Sequence, residues 1–187
     1  MPTPERTSLP AIVAAGLHIL ETHGLSAVTM AAVAARVGVR PPSLYKRVRN
    51  RDELIRLIAE AAVADLGAQI AAADPGVGVP RERLKALLGA LRQFAHARTA
   101  AYLLVFTPLA EGEDLSRELL EESSAPLFTV VAELAGKDHM LAAARTFTAW
   151  ATGFISMELN RSFHLGGDVD VAFAYGVERL TDAIAAR

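Results

Sequence analysis

The sequence predicts an all-α protein of about nine helices, judged from the spacing of its apolar residues. Three observations carry this expectation. Hydrophobic residues make up 52% of the 187-residue chain, and the excess is largely alanine and leucine, which favour helices. Apolar residues recur at helical spacing, and no useful stretch alternates with the period of a strand. Glycine, proline and small polar residues stand where helices must start or stop.

The first helix runs from about Leu9 to His23. Ser8 can cap it, Pro10 is tolerated in its first turn, and Gly24 is placed to stop it. Ile12, Val13, Leu17 and Leu20 lie along one broad face. Thr29 caps a second short helix, about Met30 to Val37, with Val33 and Val37 inward. Gly38 makes a turn. A third short helix starts at the pair Pro41-Pro42, where a missing N–H costs little, and ends near Arg47. Two short helices about a glycine turn, the second of them basic, describe a helix-turn-helix. Ala34, Val39, Leu44 and Val48 supply its core. Asn50 and Glu53 form an N-cap signature for a fourth helix, striped by Leu54, Leu57, Ile58 and Ala61 and reaching Ala73. The run Asp74-Pro75-Gly76-Val77-Gly78-Val79-Pro80 breaks the pattern. Four or five helices follow, with breaks near 108–114, 136–138 and 164–170, and there is no internal repeat.

Charge is unevenly spread. The whole chain carries −2, but residues 1–60 carry +3 and residues 61–187 carry −5. From Arg36 to Arg51 the chain holds Arg36, Arg40, Lys46, Arg47, Arg49 and Arg51 with no acidic residue. DNA contact at one end of the molecule is the expectation. Several function classes fall away. The absence of cysteine excludes disulfides, thiolate nucleophiles and cysteine-ligated metals. His18, His23, His96, His139 and His164 lack metal-ligand spacing, and no nucleophile elbow, P-loop or dinucleotide fingerprint occurs. No catalytic residue, metal or cofactor is therefore expected. The start, MPTPERTSLP, does not read as a signal peptide, and no apolar run is long enough to span a bilayer, so a cytoplasmic protein with no membrane partner is expected.

The run VTMAAVAARVGVRPPSLYKRVRNRDEL resembles the DNA-binding domain of the TetR family of bacterial transcriptional regulators. The hallmarks are Leu44-Tyr45 in the recognition helix, then Asn50-Arg51 followed by Asp52-Glu53-Leu54. The resemblance covers residues 8–60 in detail; beyond them, length and helical layout fit. The stretch Trp150-Ala-Thr-Gly153 is similar to a Trp-x-His-Gly signature of one C-terminal subgroup, with Thr152 in place of the histidine. The resemblance implies a helix-turn-helix domain in residues 1–53 and a helical ligand-binding and dimerisation domain in 54–187. It also implies that the Tyr45 hydroxyl, Arg47 and Arg51 touch DNA phosphates.

The residues themselves support further contacts. Pro42 and Ser43 occupy the leading turn of the recognition helix, which reads base edges; proline suits a thymine methyl and the serine hydroxyl tolerates several bases. Arg40 precedes them, within reach of a guanine or a phosphate. Lys46 follows on the exposed side with Tyr45. Thr29 sits at a helix N-terminus, which suits a phosphate. The plain alternative for the whole run is a solvated basic face.

The C-terminal part has large aromatics among small residues: Phe94, Tyr102, Phe106, Phe128, Phe147, Trp150, Phe154 and Met157. Such a set can line a cavity for a mainly apolar ligand, or it can simply pack a core. The last two helices, about 140–163 and 169–186, are apolar on several faces and are expected to form a dimer surface through Ala151, Ile155, Phe173, Val177, Leu180 and Ile184. Gly153 and Gly176 would permit close helix approach. The expected function is a homodimeric transcriptional regulator, a repressor that binds a pseudo-palindromic double-stranded DNA operator and is released by a small-molecule effector. The alternatives are an activator or a regulator controlled by a partner protein, and, in a different class, a helical enzyme or ligand carrier that kept a vestigial helix-turn-helix.

Overall fold

The computed structural model describes residues 8–185. Most of the N-terminal segment discussed above, and Ala186 as the end of the last helix, lie outside the described residues. Among the described residues there are nine α-helices, one 3-10 turn and no strand. They are α1 (Leu9–His23), α2 (Met30–Val37), α3 (Pro41–Leu44), α4 (Arg51–Ala73), α5 (Pro80–Ala97), α6 (Thr99–Val105), α7 (Arg117–Ala135), α8 (Met140–Leu159) and α9 (Val169–Ile184), with the 3-10 turn at Leu25–Ala27. The all-α expectation holds, and the caps explain the accurate boundaries. Ser8 accepts from the Ala11 N–H, Thr29 Oγ1 from the Ala32 N–H at 3.1 Å, and Asn50 from the Glu53 N–H at 2.8 Å.

Two boundaries differ from the expectation. Regular helix in α3 ends at Leu44, and residues 45–47 continue as a turn in which the Arg47 and Val48 N–H groups both bond the Leu44 carbonyl. The eighth helix stops at Leu159 instead of near residue 163. It ends in a Schellman arrangement: the Ser162 N–H bonds the Met157 carbonyl, the Arg161 N–H bonds the Glu158 carbonyl, and Arg161 takes the left-handed conformation at φ 54°. No glycine or proline marks this stop in the sequence.

The chain folds as two compact units. The first comprises the described residues up to Asp65 together with Arg98–Leu120; the second comprises Leu66–Ala97 and the described residues from Glu121 on. In the first, Ile12, Ile19 and Leu20 of α1 pack with Val33 and Ala34 of α2, Leu44, Val48, and Leu54 and Ile58 of α4. A Cβ at Gly16 would overlap the Ile58 side chain, so this glycine sets the crossing of α1 and α4. Leu104 of α6 joins the same core, and Ala100, Leu109 and Leu115 pack against it. A segment from the middle of the chain thus completes the helix-turn-helix body. Arg98, at the start of that segment, bonds Glu21 of α1 and Asp65 of α4, each at 2.6 Å.

The second unit buries Leu84, Leu87, Leu91 and Phe94 of α5 with Val130 and Val131 of α7, Phe147, Ala151 and Ile155 of α8, and Phe173 and Val177 of α9. A Cβ at Gly67 would stand 2.7 Å from Ser123 Cβ, which marks where α4 and α7 cross. Two arginines tie the helices together. Arg83 donates to Asp74 at 2.8 and 2.9 Å and to Glu133 at 2.9 Å, anchoring the start of the 74–80 loop. These bonds hold the Asp74 carboxyl below the usual carboxylate range. Arg92 bonds Glu158 and Asp170, joining α5 to α8 and to the first turn of α9, and its bonds to Glu158 lower that carboxyl likewise.

Candidate nucleic-acid interface

The geometry begins at Gly38. It ends α2 at φ 76° and ψ 35°, a left-handed conformation that a side chain would disfavour. Its N–H bonds the Ala35 carbonyl at 3.2 Å, and the next N–H, of Val39, bonds the Ala34 carbonyl at 2.9 Å. The chain then turns through extended Arg40 into α3. Leu44 is completely buried and pins α3 to the core. The opposite side of α3 and its following turn therefore faces outward: Arg40, Pro41, Pro42, Tyr45, Lys46 and Arg47 are exposed, with Ser43 half-buried. Tyr45 is 55% exposed, a large value for an aromatic on a pinned helix.

Electrostatics favour an anion at this face. Arg40 and Lys46 have no acidic partner among the described residues, and neither does exposed Arg36 on α2. Arg36 and Arg49 were not singled out as contacts above, although the acid-free basic run contained both. Thr29 Oγ1 accepts the Ala32 N–H at the α2 cap and keeps its hydroxyl hydrogen to donate, so that helix end offers an O–H as well as backbone N–H groups to an anion. The arrangement can set cations and a phenol hydroxyl against phosphates, and a proline ring and a serine hydroxyl against base edges.

Arg51 has a structural task that spacing did not reveal. Its guanidinium donates to the Val28 carbonyl at 2.7 Å and the Leu25 carbonyl at 2.9 Å, tying α4 to the turn before α2. Removing it leaves two carbonyls without their charged donor. Arg51→Ala is expected to lower the stability of this unit by about 1.5–3 kcal/mol. A chemical denaturation curve that superimposes on the parent's would refute this role. Beside it, the Arg49 N–H bonds the Glu53 carboxylate at 2.5 Å. That backbone bond, reinforced by the Arg49 guanidinium, holds Glu53 below the usual carboxylate range against the opposing effect of burial.

The residues read as a ligand cage divide between the units. Tyr102 and Phe106 belong to the first, with ring centroids 5.0 Å apart. In the second, Phe94 and Phe147 are fully buried core. Trp150 stacks on Phe173 at 5.3 Å, and Phe154 touches Trp150, Phe163 and Phe173. The Arg92 guanidinium lies 4.9 Å above the Phe173 ring. Phe128 lines a separate open groove of about 380 Å³ between α7 and α8, with Ser124, Leu127, Leu141, Ala144 and Arg145. Met157 is exposed.

The residues read as a dimer surface also divide. Ala151, Ile155, Phe173 and Val177 are buried within one chain, and Leu180 and Ile184 are half-buried. The first four have no surface left for a partner, because α8 and α9 pack on α5 and on each other. Gly176 serves that same packing: a Cβ there would collide with the Trp150 ring. A partner surface on these helices must use their other faces, where Leu141, Ala149, Gly153, Met157, Val171 and Tyr175 are exposed.

A short helix, a left-handed glycine turn and a second helix with an outward cationic face define a helix-turn-helix DNA-binding regulator. The family description "Bacterial regulatory proteins, tetR family" matches residues 12–62, and "Tetracyclin repressor-like, C-terminal domain" matches residues 84–180. The chain belongs to the TetR family of transcriptional regulators. It is 28% identical over 163 residues to the uncharacterised HTH-type transcriptional regulator Rv0681 of Mycobacterium tuberculosis, covering 83% of this chain and 72% of that one. It is 28% identical over 113 residues to the HTH-type transcriptional regulator BetI of Rhizobium meliloti, covering 59% of this chain and 56% of BetI. The structure of BioQ with its double-stranded DNA operator superimposes with a TM-score of 0.69 at 28% identity, covering 95% of this chain and 98% of BioQ. These relatives are regulators, not enzymes. No helix among the described residues is long and apolar enough to cross a membrane.

Proposed function

We propose that the protein is a cytoplasmic, homodimeric repressor that binds a pseudo-palindromic operator and leaves it when a small, mainly apolar effector binds. The observation that carries the DNA contact is the outward face of α3, where Arg40 and Lys46 stand without acidic partners beside an exposed Tyr45. BioQ, similar along nearly its whole length, is a protein with a double-stranded DNA operator, which supports the same class of target here. Pro42 and Ser43 are assigned to base edges, and Arg40, Tyr45, Lys46 and Arg47 to bases or phosphates at the margin. The effector reading is supported by the open α7–α8 groove, whose lining is mostly apolar and whose Leu141 and Ala149 lie on the face also offered to a partner.

Sequencing the duplex fragments retained by purified protein from random DNA would identify the operator. On that operator, Tyr45→Ala is expected to weaken binding by roughly 1–3 kcal/mol, the range for one good contact. Unchanged affinity would remove Tyr45 from the interface. Induction has its own test. An effector that weakens DNA binding must itself bind more weakly, by the same factor, when operator is saturating. Following Trp150 fluorescence during a titration with and without operator measures both arms.

A further inference from the structure

Among the described residues Glu113 is the only buried acidic residue, at 8% exposure. It lies in the segment between α6 and α7, whose Leu109 and Leu115 pack against the helix-turn-helix core. Its carboxylate faces two arginines of the DNA-reading body. Arg49 Nη2 donates to Oε1 at 3.2 Å, and Arg56 Nε donates to Oε2 at 3.0 Å. Arg56 has a further partner in Glu60 at 2.8 Å, and Glu60 also accepts the Ser116 N–H at 3.3 Å. The segment is therefore held to α4 at two successive points. Arg49 differs from Arg56 in one respect: its side chain is 71% exposed, and it stands two residues beyond Arg47, on the turn that follows the recognition helix.

An arginine in that place would be a phosphate ligand if its charge were available. Here Glu53 and Glu113 both lie against it, at 3.1 and 3.2 Å. Two carboxylates on one guanidinium leave it little net charge with which to displace a counterion from DNA, and counterion release is the source of sequence-independent affinity. The neighbouring cations Arg40 and Lys46 carry no such load. The pairing is selective, falling on Arg49 and not on Arg40 or Lys46.

We propose that Glu113 is a specificity-determining positioning residue: it acts as an internal counter-anion that withholds Arg49 from the phosphate backbone and so holds down binding to non-operator DNA. The proposal rests on the DNA-binding reading above. It gives the α6–α7 segment a direct hand in DNA affinity, since any movement that draws Glu113 away leaves Arg49 with one carboxylate, Glu53, in place of two. A base-specific role is excluded for Glu113 itself, because a buried carboxylate cannot approach DNA.

The test uses the full chain and a labelled mixed-sequence duplex, with affinity measured across a series of salt concentrations. Glu113→Gln is expected to raise non-specific affinity several-fold at low salt and to steepen the slope of log K against log salt by up to about 1 per headpiece, Glu53 remaining beside Arg49. Arg49→Gln alone is expected to leave the slope near the parent's, because that charge is already neutralised. The double variant should return to the parental slope, which isolates the pair from any general loosening of the fold. An unchanged slope in Glu113→Gln overturns the proposal. So does a slope lowered by about 1 in Arg49→Gln, since Arg49 would then already contact phosphate. Should Glu113→Gln fail to fold, the Arg49→Gln measurement decides alone. A parent protein that binds no duplex in a salt-dependent way would refute the functional reading itself, and the proposal with it.

Discussion

Phe173→Ala is expected to destabilise the protein by about 3–5 kcal/mol, the range for deleting a buried aromatic. The ring is 6% exposed and sits at the centre of a cluster. Trp150 stacks on it and Phe154 meets it edge-on, each at 5.3 Å, while the Arg92 guanidinium covers it at 4.9 Å. Collapse into the vacated space is resisted from each side. Trp150 is wedged against Gly176, and Arg92 is held by Glu158 and Asp170. For a chain of this size the thermal midpoint should fall by roughly 10 °C. The loss should be the same at low and high protein concentration, because the contacts lie within one chain. A variant that kept the parent's midpoint but changed its oligomeric state would mean that Phe173 faces a partner after all.

This distinction shows what the sequence could reveal and what it could not. The helix-turn-helix was legible because its determinants are local. Ser8, Thr29 and Asn50 cap helices, Gly38 supplies a left-handed turn, and the basic run carries its charge within sixteen consecutive residues, Arg36 to Arg51. The apolar stripe through Phe173 and Val177 was legible as a buried face, but periodicity identifies the face and not its neighbour. Burial in one chain and burial in a dimer leave the same pattern. Glu113 carries no mark of its role in the sequence, because its partners are distant: Arg56 and Arg49 lie 57 and 64 residues away. The incorporation of Leu104 into the first unit's core was hidden for the same reason. Arg51 was readable as a cation, but the two carbonyls it holds follow only from how α4 approaches the turn before α2.

Gly153→Arg is expected to convert the protein to monomers while leaving the protomer slightly more stable. Gly153 lies on the outward face of α8, and a Cβ there would meet nothing within 4 Å. Within one chain, arginine therefore adds no clash and removes the helix cost of glycine, about 0.5–1 kcal/mol. The same face exposes Ala142, Thr146 and Ala149 along three helical turns, small residues that would let a second helix approach closely. On α9 the exposed Val171 and Tyr175 offer apolar area to the same partner. If two copies dock on these faces, a stable interface would bury on the order of 1,200–2,000 Å², and an arginine at its centre would lose both contact and hydration. Sedimentation should then report monomers at micromolar concentration. Affinity for a two-half-site operator should collapse toward that of one headpiece, because the second contact is no longer tethered to the first. Val177→Arg cannot serve this purpose, since Val177 is buried in the protomer and its replacement would unfold it. A Gly153→Arg protein that remains dimeric and holds the operator like the parent would move the partner surface off the outer face of α8.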